Sequence, residues 1–127
     1  PEEILTAILI KKLAPGSRCA FEKVERRKAM ARARMTISMV LRLDQEGVIS
    51  ELRIVPGAVM PVARRMKEVE NMLIGQKPRD SLINEAAKVL AEEIVKITGI
   101  RWSTEYKKPV VQNIFKRVLK QLSGIAY

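Results

Sequence analysis

The side chains best suited to chemistry are six cations that crowd one short segment. They fall within twelve consecutive residues and are Lys23, Arg26, Arg27, Lys28, Arg32 and Arg34. Such a cluster can bind the phosphates of a nucleic acid or the carboxylates of an acidic protein. It can equally be a solvated strand edge, where charge prevents one sheet from pairing with another. Nucleic acid is the weaker choice, because only one aromatic residue, Phe21, accompanies the cluster for base stacking.

Catalytic and metal chemistry find little support in this sequence. It has no histidine and a single cysteine, Cys19, which excludes zinc sites, iron–sulfur clusters and histidine-dependent catalysis by these residues. Cys19 is interpreted as a small buried residue, because no base lies beside it in sequence. Two carboxylate pairs, Glu68 with Glu70 and Glu92 with Glu93, are predicted to lie on exposed helix faces. We therefore assign no catalytic residue and no metal ligand.

Composition and glycine spacing narrow the function further. A chain of 127 residues is the usual size of one domain. Its net charge of +10 can attract polyanions or an acidic partner protein, or it can belong to a basic face that only contacts solvent. The six glycines stand singly, so no glycine-rich cradle for a dinucleotide or ATP is present. No apolar run approaches the ~20 residues of a membrane span. The first residues include Glu2 and Glu3, whereas a signal peptide begins with basic residues. We expect a cytoplasmic protein without membrane contact.

The strongest periodicity predicts a β-hairpin. Apolar residues alternate over 33–43, residues 44–47 form a turn with Gly47, and 48–55 return as a second strand. One face of that second strand is predicted to carry Val48, Ser50, Leu52 and Ile54. Residues 3–12 predict a further strand, with a helical turn as the alternative, and 17–27 predict a strand or an ordered loop.

Three helices are predicted to follow the strands. The first begins at Pro61, which suits a first helical turn, and ends before Gly75. The second begins near Asp80 or Ser81, with an apolar stripe of Ile83, Ala86, Leu90 and Ile94. The third is capped by Ser103 and carries a core face of Tyr106, Val110, Ile114, Val118 and Leu122, with Pro109 expected to kink it or delay its start. This order predicts an α+β fold, an antiparallel three- to four-stranded meander sheet followed by three helices packed on one face.

Two kinds of large side chain complete the expected packing. The six methionines are interpreted as core filler and are Met30, Met35, Met39, Met60, Met66 and Met72. Trp102, the single tryptophan, is expected either to plug the interface between sheet and helices or to lie at a subunit contact.

Several short motifs follow one another in the order typical of a known family. They are EILT at 3–6, PGS at 15–17, AFEK at 20–23, RRKA at 26–29, LRLD at 41–44, GAVMP at 57–61 followed by Arg65, Glu70, Leu73 and Gly75, and RWSTEYK at 101–107. Together they resemble the C-terminal domain of the FAD-binding (medium) subunit of molybdenum hydroxylases, the xanthine dehydrogenase and carbon monoxide dehydrogenase flavoprotein family. Where that family usually has Asp-Ile-Ala after its arginine pair, this chain has Ala31, Arg32 and Ala33.

The resemblance implies a division of labour around a flavin. Residues 1–14 would be a strand or linker that leaves an upstream FAD-binding domain, and residues 15–127 would form the α+β C-terminal domain. FAD would be bound in the full subunit, with no complete FAD site in this chain. Lys23 is implied to lie near the isoalloxazine ring, and Phe21 is a second candidate for cofactor contact.

The same resemblance implies partners and an activity. The domain would cover part of the flavin site and pack against an iron–sulfur subunit with 2Fe–2S clusters and a molybdopterin subunit, in an electron-transfer complex. It would not be a catalyst alone but part of an oxidoreductase. The alternative from charge is a free-standing basic binding module for nucleic acid or an acidic protein. Homo-oligomerisation through the apolar segment 4–10 is left open.

Overall fold

The computed structural model of the protein describes residues 2–27 and 29–125. In chain order the elements are β1 (Arg18–Val24), β2 (Met35–Leu43), β3 (Ile49–Gly57), α1 (Lys67–Leu73), α2 (Asp80–Thr98) and α3 (Thr104–Ser123). The strands form one antiparallel sheet in the order β1-β2-β3, so the predicted α+β fold with a meander sheet and three helices is confirmed. Within the described residues, no helix is both long and apolar enough to cross a membrane.

The β2–β3 hairpin follows from the alternation of apolar residues. Its core positions on β2 are fully buried, namely Met35, Ile37, Met39 and Leu41. In the turn, the Asp44 carboxylate accepts hydrogen bonds from the backbone N–H groups of Glu46 at 2.9 Å and Val48 at 2.8 Å. Gly47 takes a φ of +77° there, which a residue without Cβ adopts at little cost. The predicted hairpin and its turn are confirmed.

A bulge shifts the beginning of β3. The strand register jumps between Arg42 and Leu43, which leaves Ser50 without an opposite residue. Ile49 is consequently buried and Ser50 exposed. The prediction that Val48 and Ser50 share a face with the later core residues is therefore wrong, because the alternation resets at the bulge.

Residues 17–27, predicted as a strand or an ordered loop, contain the strand β1. It pairs along its whole length with β2, and its inward residues Ala20 and Val24 pack at the margin of the core. Neither is large, and the only large apolar residue of the strand, Phe21, points away from the core. The alternation of apolar and polar residues in β1 is therefore weak, and it fits a loop as well as a strand.

All three helices cover one face of the sheet, as predicted. The helix α3 lies against β1 and β2, α1 lies against β3, and α2 contacts both other helices. The predicted stripe of α2 is buried throughout, and α3 buries Val111, Ile114, Phe115, Val118, Leu119 and Leu122. Pro109 lies inside α3 without delaying its start at Thr104, whereas Tyr106, predicted on the core face, is exposed.

Two polar contacts join the beginning of the sheet to the last helix. The Arg18 guanidinium donates a hydrogen bond to the Leu122 carbonyl at 3.0 Å, across 104 positions of sequence. Four residues further along β1, on the same face, Glu22 forms an ion pair with Arg117. These contacts fix α3 over the edge strand β1.

The first helix begins later than predicted. We expected a start at Pro61, but α1 begins at Lys67. The backbone N–H of Met66 donates to the Ile54 carbonyl at 2.9 Å, so the residue before the helix is tied to β3. A backbone held by a strand cannot adopt helical dihedral angles at the same positions.

Glu70 of α1 is the buried carboxylate of the described chain, at 1% exposure. Its Oε1 accepts a hydrogen bond from the Ile54 backbone N–H at 2.8 Å, and its Oε2 lies 2.6 Å from Nη2 of Arg65. The prediction of an exposed helix face is wrong for Glu70. Its charge is neutralised by Arg65 and its oxygens are satisfied, which is the condition for burying a carboxylate.

The strand predicted over residues 3–12 does not form. Residues 2–14 lie outside the helices and strands, and their apolar side chains are exposed, including Ile4, Leu5, Ile8, Leu9 and Ile10. A strand requires a neighbour for its backbone N–H and C=O groups, and the described residues pair no strand with this segment. The linker interpretation of 1–14 stays a prediction.

Candidate functional site

The structure places Phe21 and Lys23 side by side on the face of the sheet that the helices leave uncovered. We call this the outer face, formed by Cys19, Phe21, Lys23, Thr36, Ser38, Val40, Arg42, Glu51, Arg53 and Val55. Phe21 lies opposite Ser38, which in turn lies opposite Val55. The Phe21 side chain is 65% exposed, so a large flat apolar surface is presented to whatever covers this face.

A shallow depression of about 400 Å³ lies beside the Phe21 ring. Its lining includes the apolar side chains of Val40 and Val55. Arg53 and Arg65 also line it, paired with Glu51 and Glu70 respectively. Apolar surface bounded by a few fixed cations suits a flat ligand with an electron-rich edge. It offers no ring of backbone N–H groups of the kind that binds a diphosphate.

Lys23 is held by its surroundings rather than projecting freely. Its Nζ donates a hydrogen bond to the Ala31 carbonyl at 2.9 Å and lies 2.7 Å from the Glu25 carboxylate. The lysine thereby fastens the connection between β1 and β2 to the end of β1. The ammonium is held towards this connection, with part of its charge balanced by Glu25.

The connection between β1 and β2 carries most of the basic cluster identified in the sequence. Arg27 donates to the Met30 carbonyl at 3.0 Å, and the Arg34 guanidinium lies 5.9 Å from the centroid of the Tyr106 ring. That cation–π contact joins the connection to α3. Lys28, the sixth cation of the cluster, lies outside the described residues.

The carboxylate of Glu51 is the counter-charge of the outer face. It lies between Arg42 and Arg53, both within ion-pair distance. The hydrogen bond from Arg53, together with the charges of both arginines, lowers the pKa of Glu51 below its ordinary value. Glu51 therefore stays ionised to a lower pH than an unpaired glutamate does.

Several side chains lie elsewhere than predicted. Cys19 and Met30 are exposed and not buried, because Cys19 is an outer-face position and Met30, at a φ of +49°, lies in a loop. Trp102 is almost fully exposed, so it does not plug the interface between sheet and helices. Arg53 and Arg65, which also line the depression, were missed as site residues, although the alternation of β3 already assigned Arg53 to the side opposite Leu52.

The described residues hold no group of three or more histidine, cysteine, aspartate or glutamate side chains placed to bind a metal ion. What the outer face provides is an aromatic surface, an apolar depression and positive charge. That combination can bind and orient a planar group.

Comparison with known proteins gives the family. The sequence profile of the CO dehydrogenase flavoprotein C-terminal domain matches residues 19–122. Among curated proteins, the nicotinate dehydrogenase FAD-subunit of Eubacterium barkeri is 28% identical, with 97% of this chain aligned to 43% of that protein. A 6-hydroxypseudooxynicotine dehydrogenase complex subunit alpha of Paenarthrobacter nicotinovorans is 27% identical over 94% of this chain and 40% of its own length.

Solved structures share the fold. Carbon monoxide dehydrogenase from Hydrogenophaga pseudoflava matches with a TM-score of 0.72 and 24% identity, over 87% of this chain and 38% of that one. Reconstituted CO dehydrogenase from Oligotropha carboxidovorans matches with a TM-score of 0.73 and 21% identity, over 89% of this chain and 39% of that one. Quinoline 2-oxidoreductase from Pseudomonas putida 86 matches with a TM-score of 0.70 and 22% identity, over 87% of this chain and 38% of that one.

The profile match covers most of the chain, and both curated relatives are longer proteins of which this chain spans about two fifths. The order of motifs in the sequence predicted the same family. The chain belongs to the CO dehydrogenase flavoprotein C-terminal domain family.

Proposed function

We propose that the outer face forms one wall of a flavin site in the FAD subunit of a molybdenum hydroxylase-type oxidoreductase. In this proposal Phe21 lies against the isoalloxazine ring and Lys23 lies at its edge. The observation that carries the proposal is the exposed Phe21 ring beside an apolar depression lined in part by Arg53 and Arg65. Family membership and the FAD subunits among the curated relatives support it.

The residues present fit one part of FAD and not the other. The apolar lining and the Phe21 ring suit a planar tricyclic ring, and the arginines of the lining suit its polar edge. The diphosphate finds no counterpart, since the glycines of the chain stand singly. We therefore assign the diphosphate to an upstream FAD-binding domain.

The chain's own groups would act by position and charge. FAD, when bound, supplies the capacity to accept electrons and pass them on. Phe21 would exclude water from one side of the ring. The Lys23 ammonium, fixed by Ala31 and Glu25, would favour negative charge at the ring edge, because a cation in a partly dry site stabilises a nearby anion more strongly than it does in water.

The organisation of the whole protein follows from the same proposal. Residues 1–14 would link the upstream domain to the C-terminal domain of residues 15–127. An iron–sulfur subunit and a molybdopterin subunit would complete a cytoplasmic assembly, and the domain by itself would have no catalytic activity. The exposed apolar side chains of residues 4–10 would be covered by the upstream domain.

The test is a pair of substitutions in the full subunit, Lys23→Met and Phe21→Ala. Lys23→Met should lower the flavin midpoint potential, by an amount on the order of tens of millivolts, because the anionic reduced form loses a cation. Phe21→Ala should reduce the flavin content and increase the solvent exposure of the ring. Redox titration, flavin absorbance and fluorescence of the purified assembly provide the readouts.

The matched control is Lys88→Met, which removes an exposed lysine from α2 and should leave potential and flavin content unchanged. If Lys23→Met and Lys88→Met leave the same midpoint potential, the proposed position of Lys23 is wrong. If Phe21→Ala retains both flavin content and fluorescence, the outer face is not a wall of the flavin site.

A further inference from the structure

The corner between α2 and α3 exposes two large apolar side chains. The chain leaves α2 at Gly99, where φ is +70°, and re-enters a helix at Thr104. On this corner Ile100 is 88% and Trp102 92% exposed. Residues of this size are seldom presented together to water unless another molecule covers them.

A cavity of about 240 Å³ opens beside Trp102. It is lined by the apolar side chains of Ile94, Val111 and Val59, which come from α2, α3 and the connection between β3 and α1. A cavity of this size holds one or two amino-acid side chains. The corner therefore combines two protruding apolar residues with an adjacent apolar hole.

Cations surround this cavity. Arg101, Lys107 and Lys108 all line it. The Arg101 side chain is oriented by its Nε, which donates to the Thr98 carbonyl at 3.2 Å. Among the described residues, no carboxylate side chain lines the cavity; Glu105 lines the adjoining groove.

We infer that this corner patch, formed by Ile100, Arg101, Trp102, Lys107 and Lys108, is a docking surface for an acidic polypeptide segment of another protein. An apolar side chain of that segment fills the cavity, and its carboxylates pair with the three cations. Tryptophan and arginine are the residue types that most often dominate the energy of protein interfaces. The patch shares no residue with the outer face, so the inference does not depend on flavin binding.

Charge selects this occupant over the two alternatives. A second copy of a chain with net charge +10 would bring cations against cations, which opposes self-association. A nucleic acid would match the charge but not the apolar floor, and single-strand binders stack successive bases on several aromatic rings. The other aromatic residue near this corner, Tyr106, already contacts Arg34.

The test replaces Trp102 with p-benzoylphenylalanine in the full subunit, expressed in its own cells and purified with its associated proteins. Irradiation should attach one polypeptide other than this chain, and mass spectrometry should place the link in a peptide whose aspartates and glutamates outnumber its lysines and arginines. The same photoreactive residue at Lys88, exposed on α2, should not attach that peptide. No crosslink, or a crosslink within the same subunit, to a second copy, to nucleic acid or to a basic peptide, would each overturn the inference.

Charge reversal tests the electrostatic half of the inference. Lys107→Glu with Lys108→Glu should lower the yield of that crosslink about tenfold, because attraction becomes repulsion at two positions. Lys77→Glu with Lys88→Glu changes the net charge equally at exposed positions outside the patch and should leave the yield unchanged. Equal yields in the two double variants would contradict an acidic partner. Flavin content measured on the same samples shows separately whether the proposed flavin site has failed.

Discussion

The chain has only two phenylalanines, and they lie on opposite sides of the same sheet. Phe115 of α3 is fully buried against the inner face, whereas Phe21 of β1 is 65% exposed on the outer face. The face covered by the helices is apolar, the outer face mixes apolar with polar and charged residues, and this chain supplies helices for only one of the two. The inner face is therefore completed within the chain, and the outer face presents surface for contacts made outside it.

The difference separates residues that maintain the fold from residues that are available for function. Side chains between the sheet and the helices gain their free energy from contacts within the chain. Side chains of the outer face bury less apolar surface and so contribute less hydrophobic free energy to folding, which leaves them available for contacts outside the chain. Substitutions that distinguish the two faces test this division directly.

The largest expected effect comes from the two phenylalanines. Phe115→Ala should lower the free energy of unfolding by about 3–5 kcal/mol, because it leaves a cavity in a closed core. Phe21→Ala should change it by less than about 1 kcal/mol, since the ring is already solvated. Urea unfolding followed by circular dichroism measures both, and equal losses would show that the outer face is part of the core.

A smaller effect is expected at the buried carboxylate of the helical layer. Glu70→Gln should destabilise the chain by about 1–3 kcal/mol, because the Arg65 guanidinium loses its counter-charge and the Ile54 N–H loses part of its acceptor. Glu68→Gln, on an exposed position of the same helix, should have almost no effect. If both variants unfold at the same urea concentration, Glu70 does not join α1 to β3 in the way described.

The smallest effect is expected at Glu93 of α2, and it depends on pH. Burial, with Glu68 nearby, raises the pKa of Glu93 above its ordinary value, and its Oε2 finds no hydrogen-bond partner in the described chain. The folded state then holds this proton more tightly than the unfolded state, so stability falls as pH rises through the folded pKa. Glu93→Gln should raise stability at pH 7 by less than about 1 kcal/mol and remove this loss.

A carboxylate of the outer face, Glu51, changes stability with pH in the opposite direction. The pKa of Glu51 is lowered by Arg53 and Arg42, so its contribution is present above its ordinary pKa and is lost as pH falls through the folded value. Glu51→Gln should therefore reduce stability at pH 7 and not at low pH. Urea midpoints between pH 3 and pH 8 compare the two variants, and parallel profiles would contradict both assignments.

Local pattern was enough to predict most of the fold. The alternation over 33–43 determined which side chains of β2 are buried, because side chains of a strand point alternately to two faces. The stripe from Ile83 to Ile94 identified α2 for the corresponding helical reason. Phe21 and Lys23 were selected by resemblance to a family, and the structure brings them together on the outer face; their contact with a flavin stays a prediction.

The errors share a cause in contacts between residues distant in sequence. In the sequence Glu70 looks like any surface glutamate, because its contacts with Arg65 and the Ile54 backbone form only in the fold. Pro61 likewise suits a helix start in the sequence, but the hydrogen bond between Met66 and β3 delays the helix. The bulge at Ser50 shifts the alternation of β3, so the predicted facing is correct only for the residues that follow it. The corner patch at Trp102 was left between two interpretations, since sequence does not show whether an apolar residue on a connection points inward or outward.

The hydrogen bond from Arg18 to the Leu122 carbonyl has a consequence for the order of folding. Each strand pairs with its neighbour in sequence, so the hairpins close short loops and can form early. Docking α3 on β1 instead closes a loop of about a hundred residues, which costs more chain entropy. We expect the α3–β1 contacts to be absent from the folding transition state, and substitutions at Arg18 to accelerate unfolding while leaving the folding rate unchanged.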